Sequence, residues 1–183
     1  MKIILLFSLI VLISGCSTMS IEECKIAQWE NIGQKDASEG YDRLRFAKYM
    51  KACDKAHITP DQARYNKGYD EGLKLYCTPQ NIFDLGLSGL GDYSICPINE
   101  QQNLKIFSDV SSAYYDASQN KKNLNRDIDN YENLLRNKDL KEDIKTSYKR
   151  SLSNLEMKRL QIMREFYDAE DNLERFRRAN NLN

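Results

Sequence analysis

From Ile98 to Asn183 the chain runs for 86 residues without a glycine, a proline or a cysteine. Nearly half the sequence therefore lacks every strong helix breaker. All three prolines (60, 79, 97), every glycine after residue 15 and the cysteines Cys24, Cys53, Cys77 and Cys96 lie at or before Cys96-Pro97. A chain divided in this way is expected to be all-α. The reading is a small disulfide-stapled helical module over residues 16–97, then a long antiparallel, coiled-coil-like helical hairpin over 98–183. In the second half Val110, Tyr114, Ala117, Lys121, Leu124, Ile128, Tyr131 and Leu135 step by four and three. Leu155, Arg159, Ile162, Phe166, Ala169, Leu173 and Phe176 repeat the pattern, with Lys121 and Arg159 the polar exceptions. That spacing puts one apolar stripe on each helix. The turn is expected at Asn137-Lys138-Asp139, with Asn137 left-handed at the end of the first helix. Asp139 would cap the second helix, with Glu142 completing a capping-box-like pair. Arms of roughly 36 residues would each be about 54 Å long.

The N-terminus carries a different signal. Lys2 precedes an apolar run over residues 3–13, too short to span a bilayer, which takes about 20 residues. Small residues follow, as in a secretory signal. Ile13-Ser14-Gly15-Cys16 resembles a bacterial lipobox. The resemblance implies removal of signal peptide 1–15 and acylation of Cys16 by diacylglyceryl and fatty acyl chains such as palmitate. Several chains would hold the protein stably on a membrane. Ser17, where an Asp would suggest inner-membrane retention, favours the outer membrane. The expected location is thus the outer membrane, lipid-anchored, on its periplasmic face or at the cell surface.

Charge and cysteine content narrow the chemistry. The chain has 27 basic and 27 acidic side chains, so no basic surplus points to nucleic acid. Four cysteines beyond Cys16 in an oxidising compartment read as two disulfides. With one His and no Cys-x-x-Cys, a metal site is not expected. His57 falls in a connecting turn, and no nucleophile–base–acid set accompanies it, so no catalytic residue and no cofactor is assigned.

The module also reads as helical. Ser20-x-x-Glu23 is a capping box before a helix running through Cys24 to Trp29. A second helix is expected from near Asp42 to Cys53. Thr59-Pro60-Asp61-Gln62 predicts a third, with Thr59 as cap, continuing to about Tyr76. Thr78-Pro79 opens a fourth, and Gly86-x-x-Gly89-x-Gly91 ends it.

A weak repeat lies within these helices. Gly33-x-x-Asp36-Ala37 matches Gly68-x-x-Glu71-Gly72, and the small residues four apart share a helix face. One reading is a close helix crossing, backbone against backbone. The other is a ligand site in which Asp36 and Glu71 converge on one pocket beside Trp29.

The residues Cys24-x4-Trp29, Gly33-x2-Asp36, Cys53, Pro60-Asp61, Tyr65-x2-Gly68-x3-Gly72-Leu73, Tyr76-Cys77-Thr78-Pro79-x-Asn81, Gly86-x2-Gly89 and Tyr93-x2-Cys96-Pro97 resemble a bacterial lipoprotein family, domain of unknown function 2799. The resemblance covers about residues 24–97 and implies location and layout, but no activity. Ala37 stands where the family usually has a second glycine. Lys67-Gly68-Tyr69 replaces its usual Gly-Arg, so no arginine role carries over to Tyr69. Four cysteines allow three connectivities. A chain reversal near Gly40 would bring Cys24 and Cys53 to similar heights, while Cys77 and Cys96 bracket the glycine-rich loop. The pairing Cys24–Cys53 and Cys77–Cys96 is favoured.

The expected function is that of a non-enzymatic envelope scaffold or protein-interaction module. Its partners would be the membrane, through acylated Cys16, and another envelope protein or a second copy, through residues 98–183. The alternative is a periplasmic small-ligand-binding module built on Trp29, Gly33, Asp36, Gly68, Glu71 and Gly72.

Overall fold

The computed structural model describes residues 19–182. Cys16 and the expected signal peptide, residues 1–15, lie outside them. Seven α-helices and two short 3-10 turns occur among the described residues, and no strand. The module contains α1 (Ile21–Ile26), α2 (Trp29–Ser38), α3 (Phe46–Asp54), α4 (Gln62–Tyr76) and α5 (Pro79–Gly86). The hairpin is α6 (Ile98–Leu135) and α7 (Glu142–Asn180).

The Ser20–Glu23 capping box forms at the start of α1, with both reciprocal hydrogen bonds present. The helix does not run on to Trp29: the backbone turns extended at Ala27, and α2 begins afresh. Cys24 and Trp29 are both buried. Five residues apart on one helix they would point roughly 140° apart, so burying both requires the break. Cys24 bridges Cys53 on α3, and Cys77 bridges Cys96.

Helix α4 starts two residues later than expected. Its cap is Asp61, whose carboxylate accepts from the Arg64 N–H at 3.0 Å, not Thr59. Both residue types can cap, but the anionic one interacts better with the positive end of a helix. Thr78 caps α5 as expected, accepting from Asn81 N–H.

Helices α2 and α4 form the tightest contact of the module. A Cβ on Gly33 would lie 2.0 Å from the Tyr65 carbonyl oxygen, and one on Gly68 would lie 1.8 Å from that of Glu30. One on Gly72 would meet the Gln34 carbonyl oxygen at 2.2 Å and the Ala37 Cβ at 2.7 Å. Partners rise in number together, so the two helices run in the same direction, and the repeat is two copies of one crossing surface. Helix α3 returns the chain between them. Around this crossing pack Trp29, Phe46, Tyr49, Tyr65 and Tyr69 as a chain of aromatic contacts, with Phe46 and Tyr65 centroids 4.8 Å apart.

Helices α6 and α7 are antiparallel: Tyr131 meets Tyr148, Tyr114 meets Phe166, and Phe107 meets Phe176. Lys121 does not break the seam. Its ammonium sits 3.6 Å above the Phe166 ring centre, so the cation is held by the aromatic face. Arg159 is exposed. The turn differs from expectation. Arg136 closes α6 in the right-handed region, and Asn137 accepts the Asp139 N–H through its side chain at 3.0 Å. This Asx turn satisfies the local backbone without a left-handed residue. Helix α7 then starts after Lys141, with no side-chain cap, so Asp139 and Glu142 form no capping box.

The composition changes at Pro97, but the packing carries across it. Leu104 and Phe107 of α6 and Leu173 of α7 belong to the same buried cluster as Trp29, Tyr65 and Phe83. The hairpin is rooted in the module.

Candidate functional site

The two acids of the repeat do not converge. Asp36 is buried inside the module, and its partners are all its own chain's. The Tyr49 hydroxyl lies 3.0 Å from both carboxylate oxygens, and the Tyr65 hydroxyl donates to one at 2.9 Å. Arg45 Nε stands 3.3 Å from Asp36 and donates to the Tyr49 oxygen at 2.9 Å. Its guanidinium carbon lies over the Tyr41 ring, 3.6 Å from the centroid. Burial pushes the Tyr65 hydroxyl far above its ordinary range, and the Asp36 charge adds to this. Tyr49 is raised for the same first reason, and burial takes Tyr69 up to about 12. The Tyr49 and Tyr65 hydroxyls are neutral donors, which is the form a buried carboxylate needs, while that of Tyr69 donates to the Tyr41 carbonyl. Glu71 points to solvent and pairs with Lys74 at 2.7 Å. A shared Asp36–Glu71 pocket is therefore absent. The acid on α2 ties α2, α3 and α4 together, and the acid on α4 is a surface residue. Gly33, Gly68 and Gly72 belong to the helix crossing, and Trp29 belongs to the core, edge-on to Phe46 at 6.1 Å.

Two grooves remain. One, of ≈510 Å³, lies beside the glycine-rich loop and is lined by Glu39, Gly40, Tyr76, Asp92, Tyr93 and Ser112, among others. Gly40, Gly89 and Gly91 all have positive φ. A side chain at Gly40 would also strike the Tyr76 ring, and one at Gly89 the Tyr115 ring. The other groove, of ≈660 Å³, runs along the outer half of the hairpin. Lys121, Lys122, Asn125, Arg126 and Asp129 form one wall, and Phe166 contributes from α7.

Helix α7 also carries a stripe that the apolar-seam pattern did not select. Met157, Leu160 and Tyr167 are all exposed, Leu160 at 79%. Their spacing of three and seven puts them on one face of α7, away from Leu155, Ile162 and Phe166. Lys121, 3.6 Å above the Phe166 ring, also reaches the Tyr167 ring at 5.7 Å, which places Tyr167 on the groove side. The same helical periodicity would have shown this stripe as a second face. The Asp36–Tyr49–Tyr65 cluster had no such signal, because its members come from three separate helices.

Among the described residues no group of three or more His, Cys, Asp or Glu is placed to hold a metal ion. No helix among them is long and apolar enough to cross a membrane. His57 sits exposed in a left-handed turn after α3.

Residues 28–113 match the family described as protein of unknown function (DUF2799). The matched segment holds α2 to α5 and the first part of α6, including every residue of the groove beside the glycine-rich loop. It extends past Pro97, where the sequence resemblance had stopped, because Leu104 and Phe107 complete the module's core. No curated protein and no solved structure matches the chain.

Proposed function

We propose that the chain is a non-enzymatic lipoprotein of the bacterial outer membrane, held through acylated Cys16, whose hairpin is an interaction arm for another envelope protein. The observation that carries this reading is the exposed stripe Met157, Leu160 and Tyr167 on α7, with Tyr167 reaching Lys121 of a basic groove, on helices that extend well beyond the matched segment. An exposed apolar stripe rimmed by polar residues is the usual mark of a protein-binding surface. The groove wall carries Lys121, Lys122 and Arg126 against one carboxylate, Asp129. That balance suits a partner helix with an apolar face and acidic flanks better than a second copy bearing the same cations.

The test is photo-crosslinking in intact cells from a reactive residue at position 160, in the full chain. Deleting residues 98–183 would not serve, since Leu104, Phe107 and Leu173 hold the module together. A discrete adduct at 160, lost when Met157 and Tyr167 become Asp, supports the arm. An adduct whose mass is twice that of the chain makes self-association the function. No adduct at 160 sinks the reading. The alternative, a ligand held between Asp36 and Glu71, has no support from the observed geometry.

A further inference from the structure

We propose that the end of the module bearing the Cys24–Cys53 bridge lies directly on the lipid bilayer, with Ile26 and Met50 set into the headgroup boundary. This rests on the reading of Cys16 as the acylated residue. The argument begins with chain length. Met19 packs on the core, its sulfur 3.8 Å from Cys53 Sγ. Cys16 is three residues earlier. Three residues reach at most about 11 Å even when fully extended. The acylated residue of a lipid-anchored chain sits at the membrane surface. Cys53 and its surroundings are therefore held within the depth of the headgroup layer and its immediate edge, so the module has no long, flexible stalk.

The chemistry around Met19 suits that position. Ile26 follows Cys24 on α1, and Met50 lies one turn before Cys53 on α3. Both are exposed, Ile26 at 80% and Met50 at 44%. Lys25, Lys48, Lys51 and Lys55 are exposed on the same two helices or just after them. Exposed apolar side chains on helices that also carry lysines form the composition of an interfacial surface, where ammonium groups meet phosphates and the alkyl stems stay in apolar surroundings. Glu22, Glu23 and Asp54 are the acids on these helices. Glu23 is committed to the Ser20 cap, which holds its carboxyl below the ordinary range. The acyl chains supply the affinity. The apolar contact fixes orientation, and with it the direction in which the hairpin leaves the membrane.

The full-length protein, extracted from membranes and reconstituted in phosphatidylethanolamine–phosphatidylglycerol vesicles, tests this. An environment-sensitive fluorescent amino acid is placed at position 26, 50 or 160, and quencher lipids carry a nitroxide near the headgroup. Mass spectrometry of the N-terminal peptide reports the state of Cys16. Probes at 26 and 50 should shift to the blue and lose most of their emission to the quencher, while the probe at 160 keeps its own. Acylated Cys16 with unquenched probes at 26 and 50 overturns the proposal alone. Unacylated Cys16 overturns it together with the anchor reading.

Discussion

Phe176, near the C-terminal end of α7, stacks on Phe83 of α5 with ring centroids 6.1 Å apart and meets Phe107 edge-on at 5.2 Å. The last turns of the hairpin thus close the core of the family domain. Phe176→Ala should lower stability by about 2 kcal/mol, less than the 3–5 typical of a fully buried Phe, because Phe176 is half-buried. The module and the root of the hairpin should lose stability together. Thermal unfolding followed at once by helix signal and by Trp29 fluorescence checks this. A Trp29 transition left where it was would show that the hairpin end is dispensable.

The α2–α4 crossing leaves no room for a methyl group. Gly68→Ala and Gly33→Ala should each cost ~3 kcal/mol or more, at or beyond the upper end of overpacking, because the obstacle is a backbone carbonyl that cannot rotate away. Ala37→Gly on the same surface should cost only about 1 kcal/mol, the helix-propensity difference. Urea midpoints of the three variants give the comparison. Equal losses would mean that the crossing relaxes.

Asp36 and Glu71 occupy matching places in the repeat and should behave oppositely. Asp36→Ala strands Arg45 and two buried hydroxyls, an expected loss of about 3–5 kcal/mol. Glu71→Ala removes one exposed pair and should change stability by less than about 0.5 kcal/mol. Denaturant titration decides, and a stable Asp36→Ala variant would return the site to candidate status for a ligand.

High pH should unfold the module through its tyrosines. Tyr49, Tyr65 and Tyr69 are raised above the ordinary value of 10.0 by burial. Below that value all three are neutral in both states, and their contribution is intact. Above it the unfolded chain releases protons that the folded chain keeps, so stability falls as pH rises. Each such tyrosine costs roughly 1.4 kcal/mol per pH unit until its own folded pKa is reached. Phenolate absorbance should appear together with loss of helix. Tyr65→Phe should make the fall shallower, and an unchanged slope would refute the assignment.

Much of the architecture was legible in order. The missing breakers after Pro97, the Ser20–Glu23 box, the Thr78 cap and the repeat of small residues each act through neighbours in the chain, and each appears where the local pattern put it. The cysteine pairing was reachable because a reversal near Gly40 brings Cys24 beside Cys53. The competition between Thr59 and Asp61 was not decidable locally, since both can cap. Nor was the break at Ala27, which follows from the need to bury Cys24 and Trp29 together.

The repeat is the clearest division between the two levels. Spacing alone determined that Gly33, Ala37, Gly68 and Gly72 share helix faces, and that Asp36 and Glu71 sit at equivalent places beside them. Only the tertiary structure decided that the faces meet each other, with Asp36 turned inward among Tyr49, Tyr65 and Arg45 and Glu71 turned to water. The reason is physical. Helical periodicity depends on bonds three and four residues long, whereas the environment of a carboxylate depends on groups that other segments bring to it.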